Sequence, residues 1–204
     1  MTTISELQRD ALGEMFNIGV GRAAASLSQI VGEEILLSAP EIHLLSPEDA
    51  ARTVLGEDGR KFSAVTQTFS GPFVARAMLV FPETNALEII RMMIGEHISL
   101  EELTEFEQEA MSEIGNIILN ATLSSLADMF GVELHGGLPT HRFGDAASLM
   151  LDDTEDRQVI LVIQVNLIIS KQQIQGHILF LLSVSSLNHL LECIDRYLAA
   201  QGLA

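Results

Sequence analysis

Apolar and polar positions alternate along this chain in two rhythms, and each stretch appears twice. From Ser5 the apolar or small residues Leu12, Phe16, Ala23, Leu27 and Ile30 recur close to the helical period. Ser5 and Gln8 form an S-x-x-Q capping box, and Gly32 supplies a stop, so one long helix is expected between them. Short extended segments follow over 34–38 and 41–45, separated by Pro40, and Ser46-Pro47-Glu48 opens a short helix. The stretches 61–69 and 73–81 read as two antiparallel strands joined through Ser70-Gly71-Pro72. An amphipathic helix over 83–94 then ends at Gly95.

The second half repeats this plan. Thr104-x-x-Glu107 reads as a second capping box, 99 residues after the first, and Gly131 matches Gly32 at the same offset. A short helix over 145–151, strands over 159–169 and 176–183, and a closing helix over 185–197 complete the copy. Aligning Gly71 with Gly176 implies about six residues inserted between Pro139 and the second hairpin. The expected fold is α/β (α+β): a single domain over 1–204, made of two repeats, 5–95 and 104–200, related by a pseudo-two-fold. Long helices would pack on a largely antiparallel sheet of about six strands.

On a wheel of about 100° per residue, Asp10, Glu14, Asn17 and Gly21 fall within ~60° of one another, opposite the apolar face. Glu109, Glu113, Asn116 and Asn120 form the same stripe 99 residues later, opposite Met111, Ile118, Thr122, Leu126 and Met129. Both stripes should therefore face outward. Exposed Glu is ordinary, but a mid-helix Asn costs some tenths of a kcal/mol relative to Ala because its side chain competes with the backbone. Repetition of the pair admits two readings, duplicated ancestry or function. Chemically, Glu offers a carboxylate for a cation, and Asn offers a donor and an acceptor with no relevant pKa. Asn cannot act as a base but can orient a water for in-line attack, which suits phosphoryl hydrolysis on a partner that brings its own metal and phosphoryl group. No G-x-x-x-x-G-K-[ST] loop occurs in the chain.

Composition removes several alternatives. The 204 residues are 48% hydrophobic, enough for a sizeable core. A formal charge of −17 with 11 scattered Lys and Arg argues against nucleic acid or an anionic membrane as partner. The one cysteine, Cys193, lies in an apolar helical pattern and excludes an intramolecular disulfide or a Cys cluster. No apolar leader and no bilayer-length apolar run are present, so a cytoplasmic location without membrane insertion is expected. His135 and His141 flank Pro139, a weak metal-site signal without further spaced ligands. His177 and His189 read as packing or surface residues, and no G-x-S-x-G is present.

The spacing [D/S]-x-x-x-E-x-x-N, then 22 residues, then P resembles the signature of the CheC/CheX/FliY phosphatases of bacterial and archaeal chemotaxis. Asp10, Glu14, Asn17 and Pro40 fit it throughout; Glu113, Asn116 and Pro139 fit it with Glu109 in place of Asp or Ser. FNIGVGRAA and SEIGNIILN are similar to the family's words, and the chain with its two motifs is most like the CheC branch. The resemblance implies dephosphorylation of the response regulator CheY, with Glu14 and Glu113 pairing with a regulator lysine. Asn17 and Asn116 would orient the attacking water; Pro40 and Pro139 would shape the turn behind each helix. It implies no cofactor bound by this chain alone, magnesium supplied in the regulator's active site, and CheD as a second partner. The rivals are a non-catalytic module docking CheD or a regulator, and a flagellar-switch-like structural protein.

Overall fold

Fourteen elements make up the part of the chain that the computed structural model describes, residues 4–32, 34–38, 41–52, 56, 59–94, 100–150, 158–169 and 172–203. The first half runs α1 (Glu6–Val31), β1 (Ile35–Ser38), β2 (Ile42–Leu45), α2 (Pro47–Ala50), β3 (Phe62–Ser70), β4 (Val74–Pro82) and α3 (Glu83–Ile94). The second runs α4 (Leu100–Phe130), β5 (His135–Gly136), β6 (Thr140–Gly144), α5 (Ala146–Met150), β7 (Gln158–Ile169), β8 (Gln172–Ser183) and α6 (Val184–Ala200). Pro40, Gly95, most of the expected link 96–102 and the acidic stretch 152–156 lie outside the described residues.

Local signals set most of the helix ends. Ser5 Oγ accepts from the Gln8 amide at 3.2 Å while Gln8 Oε1 accepts from the Ser5 amide at 3.0 Å, so the capping box forms as expected. Gly32 closes α1 in the left-handed region at φ 77°. Ser46 and Ser183 each accept from a backbone amide three residues on, starting α2 and α6. The Thr104 box does not form: α4 begins four residues earlier, at Leu100. Leu100, Glu101, Glu102 and Leu103 are good helix formers, and they carry the helix past the point where Thr104 could cap it. Glu107 consequently lies inside a helix, where it approaches Ser63 on β3.

All strand pairs are antiparallel, in the order β1-β7-β8-β4-β3-β5, with β2 also on β7 and β6 also on β3. The sheet has eight strands where about six were expected; β5 and β6 are the additional two, and two short strands lie at each edge. The order reads the same from either side of the central β4–β8 pair. The short strands are exchanged: β1 and β2 complete the second half's hairpin, and β5 and β6 complete the first half's. Neither hairpin would have its edge covered by its own half.

The register corrects the expected insertion. Ile42 pairs with Ile163, and His141, 99 residues after Ile42, pairs with Val65. Val65 and Ile163 are therefore equivalent, 98 residues apart, and the halves stay in step through the hairpins. Gly176 is not a turn residue; it lies inside β8, opposite Val165 on β7. A Cβ there would overlap the Phe81 ring, so the residue is Gly because an aromatic side chain from β4 occupies its space.

The sheet's two faces bury separate cores. α1, α3, α4 and α6 cover one face, with Leu12, Phe16, Met111, Ile118, Leu161, Phe180 and Ile194 in one cluster. Phe16 and Phe180 rings pack with centroids 5.3 Å apart. Cys193 is buried in this layer, as its helical pattern implies. α2 and α5 cover part of the other face through Ala50, Ala146 and Leu149, over Ala64, Met78, Ile160 and Leu179. Ile30, expected on the inward face of α1, is 54% exposed. It falls in the last turn, after Ser28 has bonded the departing chain at the Ile35 amide (2.9 Å), where nothing covers it.

On the second face His177 sits between Val80 and Gln164, its Nδ1 buried without a hydrogen bond. Burial lowers its pKa from 6.5 to about 4. At pH 7 the imidazole is neutral whether the chain is folded or not. Below about 6.5 the unfolded chain takes up a proton that the folded chain refuses until about pH 4, so stability falls as pH falls through that window. Urea unfolding at pH 7 and pH 5 should show His177→Gln losing about 2 kcal/mol less than wild type across the step. Gly176→Val is expected to destabilise by roughly 1–3 kcal/mol through its clash with Phe81, read as a shifted urea midpoint.

Candidate functional site

α1 and α4 pack against each other at a small residue. A Cβ on Gly19 would lie 2.9 Å from Thr122 Cα and 3.1 Å from Thr122 O, so Gly at this position lets the two backbones approach. Gly115 on α4 plays the same part against the sheet, where a Cβ would overlap Val65. With Leu12, Met15, Phe16, Val20, Ala23 and Leu27 buried on α1, the opposite stripe is left in solvent. Asp10, Glu14, Asn17 and Gly21 are all exposed there, as the wheel implies. Glu14 and Asn17 stand one turn apart, and among the described residues neither side chain has a hydrogen-bond partner.

The second stripe differs. Glu109 and Glu113 are exposed, but Asn116 and Asn120 are half-buried, which corrects the expectation that both Asn pairs face solvent freely. Asn120 Nδ2 donates to Asn116 Oδ1 at 2.6 Å and to the Asn116 carbonyl at 2.8 Å. Behind Asn120 stands Gln67 of β3, 3% exposed, whose Nε2 donates to Asn120 Oδ1 at 3.3 Å and to the Gly137 carbonyl at 2.8 Å. The Gly137 amide is itself held by the Thr68 carbonyl at 2.8 Å. The loop 136–139 is thereby drawn against α4. A Cβ on Gly136 would lie 3.0 Å from Gln67 Nε2 and 3.1 Å from Asn120 Oδ1, closer than a side chain would settle. Pro139 follows, half-buried, and keeps Leu138 out of helical geometry. Leu138 projects from this loop, 89% exposed.

The other candidate signals do not converge. His141 is half-buried, with Nε2 2.7 Å from Ser63 Oγ, and burial lowers its pKa. His135 lies exposed beyond it on β5, opposite Ser70. Glu107 near Ser63 has its pKa raised, first by burial and also by Glu83, against a lowering bond from Ser63. Among the described residues no group of three or more His, Cys, Asp or Glu side chains could hold a metal ion, and no helix is long and apolar enough to cross a membrane. Sequence periodicity found Asn120 but not its partner. Gln67 lies between Thr66 and Thr68 in a strand with several polar residues, where no spacing singles it out, and only the Gly136-Gly137 doublet hinted at a close backbone approach.

An antiparallel sheet with four helices on one face, two of them carrying a Glu/Asn pair on the outward side, defines an α/β protein of one recognisable architecture. The same fold occurs in FliY of Thermotoga maritima (TM-score 0.77, 18% identity, covering 96% of this chain and 100% of that one). It occurs also in a CheX protein of Desulfovibrio desulfuricans (TM-score 0.54, 17% identity, 83% and 99%). No family model matches the chain. In sequence it is 29% identical over 139 residues to the CheY-P phosphatase CheC of Bacillus subtilis, covering 67% of this chain and 66% of that protein. It is 24% identical over 133 residues to the flagellar motor switch phosphatase FliY of the same organism, covering 64% of this chain and 34% of that protein. The matches thus span less than two thirds of either relative's length. In sequence and fold the chain is similar to CheC, CheX and FliY proteins, and of the two curated relatives it is more similar to CheC.

Proposed function

We propose that the chain is a phosphatase that hydrolyses the aspartyl phosphate of a CheY-type response regulator. The observation that carries this reading is the outward Glu14/Asn17 pair on α1, repeated as Glu113/Asn116 on α4, in a chain similar to proteins named as phosphatases. The geometry supports a division of labour. An exposed carboxylate on one turn engages a regulator lysine, and the carboxamide on the next turn reaches the phosphoryl group. Neither pair contains a base, so the chain's contribution is positioning and charge. Water attacks phosphorus as the bond to the aspartyl oxygen breaks, leaving a carboxylate on the regulator and inorganic phosphate, which takes the water's oxygen and both of its protons and then equilibrates with solvent. Magnesium would be supplied by the regulator's own site, where it would offset charge on the phosphoryl oxygens. Asp10 and Glu109 flank the pairs one turn earlier, and Pro139 shapes the loop behind the second pair. CheD is a second partner in this reading, and the reaction belongs in the cytoplasm with the regulator.

A docking module without turnover is the competing outcome, because a fold does not fix an activity. Phosphate release from a phosphorylated regulator with magnesium, followed with and without the chain, separates the two. Acceleration by wild type is expected, with Asn17→Ala and Asn116→Ala together lowering it about 100-fold or more. Asn17→Ala should leave the urea midpoint unchanged, because its side chain bonds nothing. No acceleration by wild type would overturn the enzymatic reading.

A further inference from the structure

The two Glu/Asn pairs are equivalent by position but not by surroundings. Residue 21, the equivalent of Asn120 at the 99-residue offset, is Gly. The equivalent of Gln67, read from the sheet register, is Val165, fully buried. The first site therefore lacks side-chain hydrogen-bonding groups at both positions, and the second site has them at both, Asn120 from the second half and Gln67 from the first. Two coordinated differences, with Gly136 opening space for the loop to reach them, make this a built feature of the second site.

We propose that Asn120 and Gln67 are positioning residues for Asn116, holding its carboxamide with Oδ1 turned inward and the NH2 group presented outward. Two backbone carbonyls fix the polarity, since a carbonyl can only accept. The group of Gln67 that meets the Gly137 carbonyl is its NH2, and the group of Asn120 that meets the Asn116 carbonyl is its NH2. The Asn116 atom 2.6 Å from Asn120 Nδ2 is then its oxygen. Asn116 Nδ2 has no partner among the described residues. It is the atom free to meet a ligand, and two N–H donors at a fixed place suit a phosphoryl oxygen. Asn17, with Gly21 one turn on, can turn either end of its carboxamide outward and must be ordered at the moment of reaction. The second site is preorganised as a donor and the first is not. This rests on the phosphatase reading for its kinetic consequence, but not for its geometry.

Two arms test it. In an Asn17→Ala background, which leaves the second site alone, Asn120→Ala should lower kcat about tenfold with KM within about twofold. Asn120→Asp offers no donor and repels Oδ1, so it should lower kcat further, about 100-fold. Unchanged kcat in both variants, or a fall in kcat matched by an equal change in KM, would overturn the positioning role. The second arm needs no turnover. Side-chain 15N amide spectra of the wild-type chain should show the Asn116 NH2 pair dispersed and ordered, and Asn120→Ala should move it to the averaged position of the Asn17 pair. An Asn116 signal untouched by Asn120→Ala overturns the proposal even in an active enzyme. Should wild type release no phosphate, the spectra alone decide it, and the phosphatase reading fails separately.

Discussion

The backbone approach of α1 to α4 at Gly19 constrains everything else on the functional side. With no Cβ at that position the two helices meet almost atom to atom at Thr122, and each is left with one buried side and one outward stripe. The stripes are where the Glu/Asn pairs sit. Larger residues at Gly19 or Gly115 would lift a helix from its neighbour or from Val65, and both pairs would move with it. The position of each Glu/Asn pair on the surface is in this sense set by two glycines in the core.

The exchange of short strands ties the halves together in a way that helix packing alone would not. β5 and the loop after it belong to the second half in sequence but dock on β3 of the first. That crossover brings Gly137 beside Gln67, and Gln67 beside Asn120. The second pair is consequently supported by residues from both halves. At the register position equivalent to Gln67, β7 offers Val165, which has no hydrogen-bonding side chain. A symmetric fold thus produces unequal sites, because symmetry of backbone leaves side chains free to diverge at equivalent places.

Much of this was legible in the sequence where the determinant is local. Ser5, Gln8, Gly32, Ser46 and the apolar period of α1 and α6 specify their elements with side chains close in sequence, and the structure follows them. The Thr104 box failed for a local reason too, since good helix formers upstream outweigh one capping signal. Aligning Gly176 with Gly71 failed for a tertiary one. Gly176 marks no turn equivalent to Gly71; it is Gly because Phe81, 95 residues earlier, fills its place. The same limit applies at the candidate site. Periodicity placed Glu14, Asn17, Glu113, Asn116 and Asn120 on their faces. It gave no sign that Asn116 is held, because Asn120, which bonds it, is itself fixed by Gln67 on a strand, 53 residues away from Asn120.

The distinction between a held and a free carboxamide bears on the proposed phosphatase reading. On that reading the partner would supply the phosphoryl group and the metal, and this chain's share would be geometry and fixed dipoles. A freely rotating amide loses rotamer freedom as it engages, a cost of order 1 kcal/mol for a polar side chain. A held amide has already lost that freedom in folding. Gln67 is buried with both ends of its carboxamide engaged, one to the loop and one toward α4, so the ordering of Asn116 is coupled to the same core that fixes β3. The second pair's readiness is therefore a property of the folded domain rather than of the encounter with its partner.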